Sequence, residues 1–282
     1  MDLIPAFQKD ETLLADVLAT RRKTGGFRLW WLGQSGFLLQ WQGKHLLFDP
    51  YLSDSLTRKY ADTDKPHVRM SELVIDPRRL DFIDIVTSSH NHTDHLDADT
   101  LRPLLAANPG IQLVIPEANR AFVAERLGCA EDFPMGMNDT FVKDIVGFRF
   151  YGIPAAHNTV ERDTLGQCKF MGYVVEFGGY RVYHSGDTLW FDGLEDLLLP
   201  FAVDVALLPI NGNRPERRVA GNLNAEEAAR LGKAIGAGCV IPHHYYLFAF
   251  NTEDPTLFEQ EARRYGTPHA ELRLGEKWSF SS

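Results

Sequence analysis

The feature that most constrains this chain is a histidine-rich loop directly after a predicted buried strand. The β-branched run Ile83-Asp84-Ile85-Val86-Thr87 leads into Ser89-His90-Asn91-His92-Thr93-Asp94-His95. Four imidazole and carboxylate groups within six residues, His90 to His95, are costly to bury together unless something binds them. Imidazole and carboxylate are groups that zinc, iron and manganese bind. The sequence therefore predicts a metal site at the end of this strand.

Apolar runs separated by turn residues predict the other elements. Residues up to about Lys23 predict a short amphipathic helix and a basic linker, and residues 50–75 predict a long polar loop. The first strands, 27–32, 37–41 and 45–48, are broken by glycine turns and predict an antiparallel meander. The later predicted elements are a helix 98–108 capped by Asp97, a strand 112–115, a helix 117–127, strands around 139–151, 171–177 and 180–184, a strand 204–208, a helix 225–235 capped by Asn224, and a strand 239–241.

The order of these elements repeats, since hairpins followed by alternating strands and helices occur twice. This order predicts an α/β (α+β) fold, with two central sheets packed face to face and helices outside, a four-layer αββα sandwich. At 282 residues and 44% hydrophobic content the chain is able to bury a large core. No Pro/Ser-rich linker divides it, so we predict one domain over 1–282, in which 1–26 is an N-terminal helical extension.

Three more candidate ligands lie just after predicted strands, where catalytic loops usually sit. His157 follows the strand region that ends near Pro154, Asp187 follows the strand 180–184, and the pair His243-His244 follows the strand 239–241. Adjacent side chains at a strand end point to opposite sides, so we expect only one of the two histidines to face a metal. The residues alone do not decide which one.

The spacing His90-x-His92-x-Asp94-His95 is similar to the signature of the metallo-β-lactamase superfamily, and the later His, Asp and His follow in that family's order. The resemblance covers roughly residues 27–280. Within the superfamily the chain resembles the group of the ascorbate-6-phosphate lactonases and N-acyl-phosphatidylethanolamine phospholipase D enzymes, although lactonase-type sequences differ around His157. The segments that carry this resemblance are 31–36, 89–97, 183–187, 224–228 and 240–242.

The resemblance implies a metallo-β-lactamase fold with two divalent metal ions, zinc first, with manganese or iron as alternatives. One metal would be held by His90, His92 and His157, the second by Asp94, His95 and His244, with Asp187 bridging them; the family's spacing favours His244 over His243. It also implies a hydrolase in which a metal-bound hydroxide attacks an ester, lactone or phosphodiester bond. Asp94 and Asp187 are the predicted catalytic residues, because ligating carboxylates can also orient a nucleophile or carry a proton.

Residues outside the ligand set receive weaker predictions. Asp49 is either a turn-capping acid or a carboxylate that orients a ligand imidazole, and we favour the second. His184, three residues before Asp187, is a candidate for a similar supporting role, whereas the remaining histidines are expected to be structural or at the surface: His45, His67, His243 and His269. The basic loop with Arg214, Arg217 and Arg218 is either an ordinary solvated loop or a binding site for a small anionic substrate. Tyr245, which follows His244, either packs in the core or lines the substrate pocket.

Other functions fit less well. A diiron oxidoreductase on the same scaffold resembles this chain but typically has Glu where His92 stands, and a non-catalytic metal scaffold tends to lose ligands that are intact here. A nuclease-type phosphodiesterase is disfavoured because Leu96-Asp97 replaces a glycine-containing continuation. The net charge of −9 also argues against nucleic-acid binding.

Location and partners follow from composition. Three widely spaced cysteines (Cys129, Cys168 and Cys239) indicate free thiols in a reducing compartment, and the N-terminus lacks an apolar secretory segment. No run approaches the length of a membrane span. We therefore expect a cytoplasmic protein that acts on a small molecule, without nucleic acid or stable membrane insertion, and homo-oligomerisation stays open.

Overall fold

The computed structural model describes residues 2–280, and the strands of this part of the chain form two sheets. The strands are β1 Phe27–Gly33, β2 Gly36–Trp41, β3 Lys44–Phe48, β4 Ile85–Thr87, β5 Gln112–Pro116, β6 Met135–Met137, β7 Val142–Ile145, β8 Phe148–Pro154, β9 Met171–Phe177, β10 Tyr180–His184, β11 Val205–Pro209, β12 Cys239–His243 and β13 Lys277–Phe280. The α-helices are α1 Asp10–Thr20, α2 Ser55–Lys59, α3 Ala98–Ala107, α4 Arg120–Leu127, α5 Leu194–Leu198, α6 Ala225–Ala234 and α7 Pro255–Tyr265. No helix within 2–280 has both the length and the apolar character needed to cross a membrane.

Each sheet joins an antiparallel meander to a parallel extension. The first sheet has the order β13-β1-β2-β3-β4-β5-β6, antiparallel as far as β3 and parallel from β3 to β6. The second has the order β12-β11-β10-β9-β8-β7, antiparallel from β7 to β10 and parallel from β10 to β12. The two halves of the chain therefore build similar sheets, as the element order predicts.

The two sheets pack face to face through large aromatic side chains. Phe27 of the first sheet meets Phe177 of the second with ring centroids 5.3 Å apart, and Trp41 meets Phe148 at 5.7 Å. Helices cover the outer faces; α6, for example, buries Ala225, Ala228, Ala229 and Leu231 and contacts β11 and β12. The predicted four-layer αββα architecture is confirmed. Leu13 and Val17 of α1 join the same hydrophobic cluster, which stabilises the contact of the N-terminal helix with the sheets.

Local differences from the sequence prediction have simple causes. The predicted loop 50–75 contains the short helix α2, whose single polar turn gives no periodic apolar signal. The region 139–151 is a hairpin of two strands, because Val146 and Gly147 adopt positive φ angles of 50° and 85° that form its turn. The helix that starts at Glu117 begins as a 3₁₀ turn and becomes α-helical at Arg120.

The strand directions bring the predicted ligands to one edge of the sandwich. β3 and β4 are parallel neighbours, so Asp49 and the loop from Ser88 leave the first sheet at the same edge. β8, β10 and β12 all run in one direction in the second sheet, so residues that follow them also leave at one edge. Carboxyl ends of strands are where α/β sheets usually place their binding sites.

Candidate metal centre

The seven predicted metal ligands meet at this edge. Three overlapping sets have donor atoms within 4.8 Å of one another: His90, His92 and His157; His90, His95 and Asp187; and Asp94, His95 and His244. The first and third sets contain the same residues as the two ligand sets that the family resemblance implies. The middle set shares His90 with the first set and His95 with the third, and it contains Asp187, the residue expected to bridge.

Asp187 lies between the two sets of imidazoles. Its Oδ1 is 2.7 Å from His244 Nε2 and 3.2 Å from His95 Nε2, and its Oδ2 is 3.6 Å from His157 Nε2. Burial would raise the pKa of Asp187, but its electrostatic and hydrogen-bond interactions with the imidazoles of His244 and His95 hold the pKa well below its usual range. The carboxyl group is therefore ionised and offers its oxygens to both sides of the centre.

Gly186 permits the close approach that places Asp187. Its φ is 60°, and an added Cβ would lie 2.6 Å from Ser89 Cβ and 2.8 Å from the Met171 carbonyl oxygen. Neither backbone nor Ser89 Cβ can move away without shifting the histidine loop. A glycine at this position therefore brings the turn after β10 against the loop after β4.

Asp49 orients His95 through Nδ1, the ring nitrogen that does not face the other candidate ligands. The buried carboxylate lies 2.8 Å from His95 Nδ1, and it also accepts hydrogen bonds from Thr87 Oγ1 at 2.7 Å and from the Ser89 backbone N–H at 3.1 Å. Burial opposes ionisation of Asp49, but the hydrogen bond with His95, the nearby His184 and His95 rings and the Ser89 contact together outweigh burial and lower the pKa of Asp49 to about 2. An ionised Asp49 keeps the His95 proton on Nδ1, so that Nε2 presents its lone pair to the centre.

Gln34 connects two candidate ligands and was not predicted as a site residue. Its side-chain Nε2 donates to Asp94 Oδ2 at 2.8 Å and lies 3.0 Å from His244 Nδ1. Both Gln34 and His244 have positive φ, 49° and 64°, and the His244 N–H donates to the Gln34 carbonyl. Such strained non-glycine backbone is found at functional sites that the surrounding structure holds in place. The turn 33–36 was the only sequence signal for it.

His184 supports the turn that carries Asp187. The Gly186 N–H donates to His184 Nδ1 at 3.2 Å, so His184 Nε2 carries the proton and donates to the Ser35 carbonyl at 2.9 Å. Burial lowers the pKa of His184, in keeping with this neutral form. His243 stacks on His184 with centroids 5.4 Å apart and belongs to none of the three donor sets, so His244 is the member of the pair that faces the centre.

The donor set fits divalent metal ions. Within residues 2–280, the buried Nε2 atoms of His90, His95 and His244 and Oδ1 of Asp187 have no hydrogen-bond partner of good geometry. Leaving such atoms unsatisfied is costly, whereas a cation would bind all of their lone pairs. Five imidazoles and two carboxylates are also a suitable donor mixture for zinc, manganese or iron.

A cleft of about 330 Å³ opens over the centre. His92, Asp94, His157 and Asp187 line its floor. Its walls include residues that sequence reasoning did not place there: Lys59, Tyr60, Lys65, His67, Arg126 and Asn251. Volumes of this size are typical of small-molecule sites.

The arginines and Tyr245 for which the sequence suggested a substrate-binding role do not line this cleft. Arg214 pairs with Glu253 and Arg218 with Asp64. Arg217 donates to the Asn211 and Thr252 carbonyls and to Asn251 Oδ1, so it braces the cleft wall from behind. Tyr245 is 1% exposed, stacks on Trp31 at 4.1 Å and donates to the Leu272 carbonyl. Intramolecular partners therefore occupy all four polar groups.

Comparison with known proteins gives consistent matches. The family described as β-lactamase superfamily domain matches residues 44–245. A UPF0173 metal-dependent hydrolase of Rubrobacter xylanophilus is 30% identical over 248 residues, which cover 86% of this chain and 91% of the relative. Igni18, a metallo hydrolase from Ignicoccus hospitalis, aligns with a TM-score of 0.66 at 22% identity over 91% of this chain and 99% of its own. An isothiocyanate hydrolase from Delia radicum gut bacteria aligns with a TM-score of 0.72 at 20% identity over 90% of this chain and 100% of its own, which shows a shared fold.

Proposed function

The chain belongs to the β-lactamase superfamily, among the UPF0173 metal-dependent hydrolases, and on this premise we propose that it hydrolyses an ester, lactone or phosphodiester bond of a small anionic substrate. The predicted class of metal-dependent hydrolase is confirmed by this membership. The lactonase-like subgroup, the bond and the substrate are part of the proposal.

The observation that carries the proposal is the convergence of seven donors under an open cleft. We propose that His90, His92 and His157 hold one divalent ion, that Asp94, His95 and His244 hold the second, and that Asp187 contacts both. When bound, such ions lower the pKa of water towards neutrality and polarise a carbonyl or phosphoryl oxygen. Zinc is our first choice, with manganese or iron as alternatives.

The protein's own residues supply orientation and proton handling. Asp94 lines the cleft with an 18% exposed side chain, which supports our proposal that its carboxylate orients the attacking water or passes a proton to the leaving group. Gln34 fixes one oxygen of this carboxylate by donating to it, which leaves the other oxygen for the reaction. Asp49 and His184 act through His95 and the turn at Gly186 and do not line the cleft.

We also propose that the protein is cytoplasmic and that it is a hydrolase and not a diiron oxidoreductase. All three cysteines are free thiols, which agrees with the reducing compartment of a cytoplasmic protein. No observation in the structure favours iron over other metals at this donor set. If the purified protein showed iron-dependent absorbance and consumed oxygen or nitric oxide, the diiron oxidoreductase would become the better explanation and hydrolysis would be rejected.

The test compares His92→Ala and Asp94→Ala with the parent protein in metal content and in hydrolysis of p-nitrophenyl acetate. We expect both variants to lose bound metal and at least 100-fold in kcat/KM, roughly the loss that removing a key catalytic group causes. His269→Ala and Asp144→Ala are matched controls, because both residues lie outside the cleft, and they should keep metal and activity. Hydrolysis that survives when the metal is gone would end the proposal.

A further inference from the structure

We propose that Lys59, Lys65 and Arg126 form an anion-binding subsite in the wall of the cleft, which holds a carboxylate or phosphate of the substrate away from the bond that is cleaved. The inference rests on the proposed function and specifies its substrate class. It concerns residues that lie outside the metal motif and outside the arginine loop that the sequence suggested.

The first argument is charge. The chain as a whole has a net charge of −9, yet three cations line this cleft. Among the described residues, the carboxylates that line the cleft are Asp94 and Asp187, and both belong to the metal-donor sets. Bound divalent ions would offset these two carboxylates, which leaves the walls positively charged.

The second argument is that these cations have no carboxylate partner among the described residues. Within residues 2–280, none of Lys59, Lys65 and Arg126 has a carboxylate within 4.0 Å. Their neighbours behave differently: Arg58 pairs with Asp99, and Arg218 pairs with Asp64. Cations that have no carboxylate partner within an acidic protein keep a net charge with which to bind an external anion.

The third argument is that the three groups are held in place. Lys65 Nζ donates to the Arg218 carbonyl, and Lys59 Nζ lies 5.1 Å from the centroid of the Tyr60 ring. Arg126 Nη1 donates to the carbonyls of Asn91 at 2.7 Å and Leu96 at 3.3 Å. Groups fixed before binding lose less entropy when the ligand arrives.

Arg126 connects the subsite with the metal centre. Its two carbonyl partners flank the segment that contains His92, Asp94 and His95. Only Nη1 is used in these bonds, and within residues 2–280 Nη2 and Nε have no hydrogen-bond partner. The remaining edge of the guanidinium matches the planar, two-oxygen geometry of a carboxylate or phosphate.

Size limits the ligand further. Lys59 ends α2, Lys65 lies in the following loop and Arg126 lies in the last turn of α4, so separate elements supply the walls of one cleft. At about 330 Å³ the cleft has room for a small molecule, and not for a folded polymer. The substrate class is therefore a small ester, lactone or phosphodiester with a second, anionic group.

The test uses two probe esters of similar length, mono-p-nitrophenyl succinate, which carries a carboxylate, and p-nitrophenyl valerate, which is neutral. The measured quantity is the ratio of kcat/KM for the anionic ester to that for the neutral ester. We expect Lys59→Met/Lys65→Met to lower this ratio about tenfold, the effect of losing roughly one charged contact. The matched control Lys169→Met/Lys233→Met removes two lysines outside the cleft and should keep the parent ratio.

The outcomes separate the subsite from the proposed function. An unchanged ratio in Lys59→Met/Lys65→Met, or an equal fall in the control, overturns the subsite while hydrolysis stands. If the metal-loaded parent protein cleaves neither ester, the proposed function fails on these probes, and calorimetric titration of succinate into the metal-loaded protein decides the subsite. Binding that weakens in Lys59→Met/Lys65→Met but not in the control supports the subsite, and equal affinity or no binding in the parent overturns it.

Discussion

Replacing Asp49 by Asn should weaken metal binding without removing any predicted ligand. The carboxylate of Asp49 accepts from Thr87 and Ser89 and lies 2.8 Å from His95 Nδ1, so it fixes both the tautomer and the orientation of His95. Asn keeps the size of the side chain but lacks the negative charge that favours Nδ1–H. Loss of such a supporting carboxylate typically costs about 10- to 100-fold in metal affinity, which equals about 1.4 to 2.7 kcal/mol.

The assay is competition for zinc with a chromogenic chelator, combined with thermal unfolding of the metal-free proteins. Asp84→Asn is the matched control, because Asp84 also accepts a backbone N–H, from His45, but lies outside the centre. We expect weaker zinc binding in Asp49→Asn only. Parent-like affinity in Asp49→Asn, or an equal loss in Asp84→Asn, would refute the role of Asp49 in orienting His95.

Two further predictions concern stability. Gly186→Ala should lower the free energy of unfolding by about 1 to 2 kcal/mol more than Gly179→Ala. Both glycines have positive φ, but only at Gly186 would an added Cβ clash with a neighbouring residue, Ser89. Equal losses in the two variants would contradict the close approach to Ser89. Burial alone would raise the pKa of Asp16, but hydrogen bonds, the strongest from Lys277, lower it. A lowered folded-state pKa stabilises the protein at pH values above the ordinary carboxyl pKa of about 4, and this stabilisation is lost as the pH falls through the folded-state pKa. Chemical unfolding should therefore show that Asp16→Asn is less stable than the parent by about 1 kcal/mol at pH 7, and the difference should shrink towards pH 3. A difference that does not depend on pH would refute the stabilising ion pair between Asp16 and Lys277.

The sequence predicted the sandwich and the donors because both depend on local patterns. Apolar periodicity marks strands whether or not their partners are known, and His90 to His95 lie within one loop. His157, Asp187 and His244 follow strand ends, and parallel strands bring such positions to a common edge. The convergence of these residues therefore required little knowledge of side-chain packing.

The cleft walls could not be predicted in the same way. Lys59 and Lys65 lie in a segment expected to be irregular, and Arg126 lies on a helix far along the chain, so only the folded structure brings them together. The arginine loop 214–218 had the stronger sequence signal, yet Glu253 and Asp64 neutralise two of its charges. A charge cluster in sequence does not show which of its members keep a free charge after folding.

The most direct test of the central account is the number of divalent ions bound per chain, measured by plasma mass spectrometry on the parent protein and on Asp187→Ala. Asp187 contacts imidazoles of both donor sets, so we predict about two bound ions in the parent protein. Because Asp187→Ala lacks the shared carboxylate, we predict that this variant loses both ions and no longer hydrolyses p-nitrophenyl acetate. A parent protein that binds no divalent metal, or an Asp187→Ala variant that keeps both ions and full activity, would contradict the account.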